Sequence, residues 1–211
     1  MVKIFITRHG ETKWNIEKRL QGALDSELTE KGVANAIALG ERLKNINFHA
    51  IHSSTSQRAF HTAQLISSKN KGIPIIKEEN LREISFGDWE GLTSVEIETK
   101  SKDNFSRFWN ASHLYDPLPH QAESLSHLRM RVQKVIDTMI TSYESGSVLI
   151  VTHAVVIRIL LNIFEKKKTF ENMWDGPFIN GTSLTIVNVS NGKFEIELIG
   201  DDLHVKGHEE K

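Results

Sequence analysis

The sequence predicts an α/β fold, a three-layer α/β/α sandwich with a mostly parallel sheet and one antiparallel strand from a C-terminal hairpin. Two observations support this prediction. Short apolar runs typical of buried strands alternate with segments of helical periodicity, and strands joined through helices run parallel and are covered on both faces. Near the C-terminus, two strand-like runs flank Asn191 and Gly192, a pair that favours a two-residue hairpin turn.

The first half of the chain begins this alternation. Residues 2–7 are predicted as the first strand, because β-branched and aromatic residues dominate this short run. A helix begins near Thr29, where apolar residues start to recur at helical spacing. Residues 50–53 are predicted as the second strand. Ser54 or Thr55 is expected to cap the helix that follows it.

The middle of the chain adds a strand and two helices. Residues 73–77 are predicted as the third strand. Thr93 and Glu96 have the spacing of a capping box and indicate the start of a helix. Ser124 opens a stronger helix, and its apolar stripe comprises Leu125, Leu128, Val132, Val135, Ile136 and Met139.

The last third contains the most apolar strand, predicted at residues 148–152, and a buried helix at 155–164. Residues 184–189 and 194–198 are the two predicted strands of the closing hairpin. We therefore expect a single domain over residues 1–200 and a polar C-terminal tail over 201–211. The edge strands of the hairpin permit either a monomer or a homodimer.

The composition excludes several classes of protein. The chain has 211 residues, 39% apolar and 25% charged, as in a soluble protein with one core. A formal net charge of −1 excludes a broad basic surface for nucleic acid or anionic lipid. The absence of cysteine excludes disulfides, thiolate nucleophiles and cysteine-ligated zinc. Without a recognisable signal peptide or membrane span, we expect a cytoplasmic protein with no membrane partner.

Cationic and imidazole side chains follow three of the predicted strands. Arg8 and His9 come after the first strand, Arg58 lies on the helix after the second, and His153 follows the most apolar one. Ligands of such sheets bind at the carboxyl ends of the strands, and this set of groups suits a phosphate dianion. A neutral imidazole can attack phosphorus if its other ring nitrogen donates to a fixed acceptor, and a backbone carbonyl near Gly10 could serve.

The residues from Thr7 to Thr12 resemble the signature of the histidine phosphatase superfamily, the phosphoglycerate-mutase-like proteins. The resemblance extends through about residue 200 and is greatest to the bacterial broad-specificity phosphatases. It implies hydrolysis of small-molecule phosphate monoesters without a metal or cofactor. Further blocks that resemble the family lie at residues 19–32, 54–63, 81–91 and 151–158.

The resemblance also implies a role for each matching residue. His9 is the nucleophile, and Arg8, Arg58 and His153 hold the phosphoryl oxygens. Glu83 is the general acid that protonates the leaving oxygen and later activates water. Such an acid must hold its proton while the nucleophile stays neutral, so we expect good activity at mildly acidic to neutral pH.

Asn15 and Gln21 are expected to add hydrogen bonds to the phosphate, with the alternative that they only cap or brace a loop. Ala154 also falls in the phosphate site, where the family usually has glycine, and its methyl group bears on the rate more than on the mechanism. Glu27 and Ala122 are two further departures, in place of a common proline and a usual glycine.

Several alternatives remain open at this point. Glu90, Glu11 and Asp88 are alternative general acids. The aromatic-rich stretch at residues 105–115 either forms an apolar wall over the site or packs in the core. The competing functions are a phosphoglycerate mutase with the same phosphohistidine and an inactive protein that binds phosphorylated ligands. The segment after Glu83 resembles that of the phosphatases, without the longer insertion typical of the mutases.

Overall fold

The computed structural model describes residues 1–70 and 72–206. Six strands form one sheet. In chain order they are β1 (Val2–Arg8), β2 (Phe48–Ser54), β3 (Ile75–Glu78), β4 (Gly146–Thr152), β5 (Leu184–Ser190) and β6 (Lys193–Asp201). Their order across the sheet is β3-β2-β4-β1-β5-β6.

The pairing confirms the predicted sheet. β1, β2, β3 and β4 run parallel to one another, while β5 is antiparallel to both β1 and β6. β6 therefore regains the direction of the parallel strands, and β5 is the one reversed strand of this sheet. The parallel register places Arg8 beside Thr152, and the N–H of His9 donates to the Thr152 carbonyl at 2.9 Å. The carboxyl ends of β1 and β4 thus lie side by side.

Helices cover both faces of the sheet. They are α1 (Lys13–Ile16), α2 (Glu30–Leu43), α3 (Gln57–Ser67), α4 (Ser94–Asn110), α5 (Leu125–Ser142), α6 (Ala154–Phe164) and α7 (Leu203–Lys206). Alternate residues of β1 enter different cores: Phe5 packs with α2 and α3, whereas Ile4 and Ile6 pack with α4, α5 and α6. The result is the predicted three-layer sandwich. Within the described ranges, no helix is long and apolar enough to cross a lipid bilayer.

The local signals for helix starts are mostly confirmed. Thr29 caps α2 by accepting the Gly32 N–H at 2.9 Å. Thr93 and Glu96 form the reciprocal bonds of a capping box at the start of α4. Ser124 caps α5 by accepting a backbone N–H through its hydroxyl group. These caps involve residues close in sequence, which explains why the pattern alone was sufficient.

The predicted cap of α3 is wrong. The helix begins at Gln57, and neither Ser54 nor Thr55 caps it. The hydroxyl group of Ser54 lies 2.8 Å from Nε2 of His153. The carboxylate of Asp25, from a distant loop, accepts the first N–H groups of the helix instead.

Some element boundaries also differ from the sequence prediction. β3 covers Ile75–Glu78 and so begins two residues later than expected. β6 continues to Asp201, one residue into the predicted tail, and α7 then lies against α2. The remainder of that tail, residues 207–211, falls outside the described residues.

Candidate active site

One pocket of about 130 Å³ opens at the carboxyl ends of β1 and β4. Most of the residues singled out from the sequence line it, namely Arg8, His9, Asn15, Gln21, Arg58, Glu83 and Ala154. His153 does not line the pocket itself, but its ring centroid lies 5.2 Å from that of His9. Residues far apart in the chain are therefore brought together as predicted.

The imidazole ring of His9 is held in one orientation. Its Nδ1 lies 2.8 Å from the carbonyl oxygen of Gly10. Because a carbonyl oxygen can only accept, Nδ1 carries the proton and Nε2 keeps its lone pair. Burial, with added repulsion from Arg58 and Arg8, lowers the pKa of His9 well below its ordinary value. His9 is therefore neutral at physiological pH.

Arg58 is almost fully buried and is fixed by three acceptors. Nη1 donates to the carbonyl of Leu24 at 2.7 Å and to Oδ1 of Asp25 at 2.9 Å, while Nη2 donates to the carbonyl of Gly22 at 3.0 Å. Arg8 donates from Nη1 to the carbonyl of Ile179 at 2.9 Å. The Nε atoms of both arginines are buried and lack a partner among the described residues. Two fixed guanidinium groups thus retain donor capacity beside the pocket.

His153 occupies the N-cap position of α6 and is completely buried. Its Nε2 lies 2.8 Å from the hydroxyl oxygen of Ser54 and 3.1 Å from that of Ser56. Its Nδ1 is buried without a partner in the described part of the chain. Burial and the nearby Arg58 lower its pKa well below the ordinary value. The two serines therefore hold a neutral ring next to His9.

Glu83 is half-buried at the pocket, close to the start of α6. Its Oε1 accepts the N–H of Ile84 at 3.0 Å, and its Oε2 accepts the N–H of Val155 at 3.3 Å. Burial raises the pKa of Glu83 and outweighs the opposing effect of these bonds and of the arginines. The carboxyl group is thus biased towards its protonated form, as a general acid requires.

The three alternative acids are engaged elsewhere, and none lines the pocket. One oxygen of Glu90 accepts the N–H groups of Ala23 and Phe86, each at 2.9 Å. Glu11 accepts from the hydroxyl group of Thr29, and Asp88 accepts from the side chain of Gln121. Glu83 is therefore the carboxyl group that the fold brings to the pocket.

Asn15 and Gln21 brace the loop after β1 as well as lining the pocket. Oδ1 of Asn15 accepts the N–H and the hydroxyl hydrogen of Thr12, both at 3.0 Å. Nε2 of Gln21 donates to the Thr12 hydroxyl oxygen at 2.8 Å, which leaves its buried Oε1 without a partner among the described residues. The bracing role is thus observed, and contact with phosphate remains a prediction.

Comparison with known proteins agrees with this geometry. Residues 4–202 match the sequence model of the histidine phosphatase superfamily (branch 1). This chain is a member of the histidine phosphatase superfamily. The resemblance seen in the sequence is thereby confirmed.

Individual relatives include phosphatases and mutase-like proteins. The structure of YhfR from Bacillus stearothermophilus matches with a TM-score of 0.92 and 41% identity, covering 97% of this chain and 100% of that one. Phosphoserine phosphatase 1 of Hydrogenobacter thermophilus is 32% identical over 158 residues, 75% of this chain and 74% of the relative. Phosphoglycerate mutase-like protein 4 of Arabidopsis thaliana is 30% identical over 206 residues, 97% of this chain and 87% of the relative.

The aromatic stretch at residues 105–115 contributes both to the core and to the pocket wall. Phe105 and Phe108 are buried in the core, whereas Trp109 lines the pocket. Trp109 packs against Trp174 with ring centroids 4.4 Å apart, and Nε1 of Trp174 donates to the carbonyl of Phe108 at 2.8 Å. The wall of the pocket is thus partly aromatic.

Sequence reasoning missed the remaining residues that line the pocket, namely Arg19, Leu20, Gly22, Phe86, Val155, Trp174 and Phe178. Trp174 and Phe178 lie in an irregular segment between α6 and β5 that has no periodicity to interpret. The sequence signal for this part of the pocket was that Trp174 and Phe178, two large aromatic residues, flank the turn-forming residues Gly176 and Pro177.

Proposed function

We propose that this histidine phosphatase hydrolyses phosphate monoesters without a metal, through a phosphohistidine intermediate on His9, with Glu83 as general acid and base. The observation that carries the proposal is the 2.8 Å hydrogen bond from Nδ1 of His9 to the Gly10 carbonyl. It leaves the Nε2 lone pair on a neutral ring at a pocket that Arg8 and Arg58 line.

In the first step, Nε2 of His9 attacks phosphorus and forms the N–P bond while the P–O bond to the leaving group breaks. Glu83 transfers its proton to the departing oxygen, so that the alcohol or phenol leaves neutral. Arg8 and Arg58 stabilise the negative charge on the non-bridging oxygens during the transfer. Their fixed positions mean that little reorganisation is needed as the charge shifts.

In the second step, the Glu83 carboxylate takes a proton from water as the water oxygen attacks phosphorus. The N–P bond breaks, and its electron pair returns to Nε2 of His9. Inorganic phosphate leaves, and Glu83 is protonated for the next cycle. The same carboxyl group therefore serves as acid and then as base, which balances the protons over both steps.

The pocket wall favours a phosphatase over a phosphoglycerate mutase. A mutase must also bind the carboxylate of its substrate, which calls for a further cation. Among the described residues that line the pocket, Arg19 is the arginine besides Arg8 and Arg58. Its side chain is already engaged, because it donates to Glu17 at 2.7 Å and to the Gly91 carbonyl at 2.8 Å. The rest of the wall is largely apolar and suits an ester whose leaving group is aromatic or aliphatic.

The test is turnover of 4-nitrophenyl phosphate in the presence of EDTA by the wild type, His9→Ala and Glu83→Gln. We expect activity that survives chelation, with a loss of about 10⁴-fold in His9→Ala. Intact-protein mass spectrometry after an alkaline quench should detect the phosphorylated wild type. Activity retained in His9→Ala contradicts the mechanism.

The same assay separates the competing functions. If 3-phosphoglycerate is a substrate, a phosphatase should release inorganic phosphate from it. Conversion of 3-phosphoglycerate to 2-phosphoglycerate instead indicates a mutase. An inactive binding protein would turn over neither ester, yet inorganic phosphate would raise its Tm.

A further inference from the structure

The segment that carries Glu83 is held by side chains rather than by regular structure. It follows a single turn of 3₁₀ helix at Glu79–Leu81 and precedes a second at Gly87–Trp89. Nη1 of Arg131 donates to the carbonyls of Asn80 at 2.8 Å and Arg82 at 2.7 Å, and Nη2 donates to the carbonyl of Glu83 at 3.0 Å. One guanidinium group on α5 therefore binds three carbonyls around the proposed acid.

The guanidinium group of Arg131 is itself oriented by Glu123. Nε donates to Oε1 at 2.7 Å and Nη2 donates to Oε2 at 2.8 Å, the two-point geometry of a strong arginine–carboxylate pair. The backbone N–H of Glu123 also donates to the Ser85 carbonyl at 2.8 Å. Arg131 thus donates two hydrogen bonds to the Glu123 carboxylate and three to backbone carbonyls, one for each of its five N–H groups.

We propose that Arg131, oriented by Glu123, is a positioning residue for Glu83. It touches neither the pocket nor the reacting atoms, and it acts by fixing the backbone from which the Glu83 carboxyl group projects. This inference rests on the proposed function, because it requires Glu83 to be the general acid. Lysine cannot replace it, since one ammonium nitrogen cannot reach three carbonyls and a carboxylate in this planar arrangement.

The role has a consequence that general stabilisation does not have. Loss of the acid slows esters with poor leaving groups more than those with good ones, because a good leaving group departs without a proton. A shift of the Glu83 carboxyl group should have the same signature. Global destabilisation instead lowers the concentration of active enzyme, and it reduces the rates on all esters by the same factor.

The experiment compares kcat/KM for phenyl phosphate with kcat/KM for 4-nitrophenyl phosphate in Glu83→Gln, Arg131→Met and Glu123→Gln. Arg131→Met should lower the phenyl to nitrophenyl ratio by about tenfold. Glu123→Gln keeps the shape of the side chain and should lower the ratio in the same direction. It also provides a readout if Arg131→Met does not fold. Lys134→Met, at an exposed site on the same helix, is the matched control and should leave the ratio unchanged.

The double variant Glu83→Gln/Arg131→Met shows whether Arg131 acts through Glu83. If it does, the second substitution changes the ratio no further once the acid is absent. An unchanged ratio in both Arg131→Met and Glu123→Gln overturns the positioning role while leaving the proposed function intact. An unchanged ratio in Glu83→Gln overturns the general-acid assignment and the positioning role together.

Discussion

The carboxylate of Asp25 holds both the guanidinium group of Arg58 and the start of α3. Oδ1 accepts from Nη1 of Arg58 at 2.9 Å and from the backbone N–H of the same residue at 3.2 Å. Oδ2 accepts the backbone N–H of Gln57 at 2.6 Å. Because an acid at a helix N-terminus satisfies free N–H groups and complements the helix dipole, one side chain fixes the helix together with the arginine on it.

Asp25→Ala is expected to lower both stability and activity. Loss of the helix cap should reduce the free energy of unfolding by about 1–2 kcal/mol. Arg58 also loses an ion-pair partner at the pocket, and kcat/KM for 4-nitrophenyl phosphate should fall by about tenfold. Urea denaturation and steady-state kinetics measure the two effects. Asp25→Asn keeps an acceptor for the helix cap without the charge, so it should recover stability more than kcat/KM. Unchanged kinetics in Asp25→Ala would refute the role of Asp25 in holding Arg58 for catalysis.

The dependence of kcat/KM on pH should be bell-shaped. The reaction needs neutral His9 and protonated Glu83. Because the pKa of His9 is lowered, the acidic limb should lie below about pH 6.5; because the pKa of Glu83 is raised, activity should persist above about pH 4.3 before it declines. A bound phosphate dianion raises the pKa of Glu83 further, an effect that the pH profile of kcat, rather than that of kcat/KM, would report. A profile of the wild type against Glu83→Gln tests this, and a complete absence of activity below neutral pH contradicts it.

The free energy of unfolding should decrease on acidification below about pH 6.5. His9 and His153 are buried with pKa values well below that of a histidine in an unfolded chain. Below about pH 6.5 the unfolded state therefore binds more protons than the native state, and each ring removes up to about 1.4 kcal/mol of stability per pH unit. The raised pKa of Glu83 has the opposite sign, since its contribution is lost as pH rises.

Urea denaturation at about pH 7 and about pH 5.5, in phosphate-free buffer, measures this loss of stability. His153→Asn should show a smaller decrease between the two pH values than the wild type. His61→Asn, which replaces an exposed histidine, should behave as the wild type does. An equal decrease in His153→Asn would show that the buried ring does not account for the acid sensitivity.

Phe178→Ala should alter substrate preference without altering stability. The side chain lines the pocket, yet 72% of its surface is exposed, so its removal leaves no cavity in the core. We expect KM for 1-naphthyl phosphate to rise several-fold, by about 1 kcal/mol of lost apolar contact, with little change for glycerol phosphate. Val95→Ala is the control, because Val95 is 73% exposed and does not line the pocket. Equal effects on the two esters would contradict a binding role for the Phe178 ring.

The residues that the sequence placed together at the pocket were identified from local or repeated patterns. The acceptor for Nδ1 of His9 is the carbonyl of the next residue, Gly10, so adjacency was enough to name it. Arg58 and His153 follow strands whose parallel order places their ends at one edge of the sheet. Similarity to a known family then supplied Glu83, which lies in an irregular segment that no periodicity identifies.

The sequence by itself determined the layers and the strand directions, because hydrophobic periodicity and turn signals act over a few residues. It also determined which cationic and imidazole side chains follow the strands. Only the tertiary structure decided which distant side chains support those groups. Three contacts join residues separated by more than thirty positions. Asp25 caps α3, Arg131 donates to the carbonyl of Glu83, and Trp174 packs against Trp109. Such contacts arise from packing of the whole chain, and no local pattern specifies them.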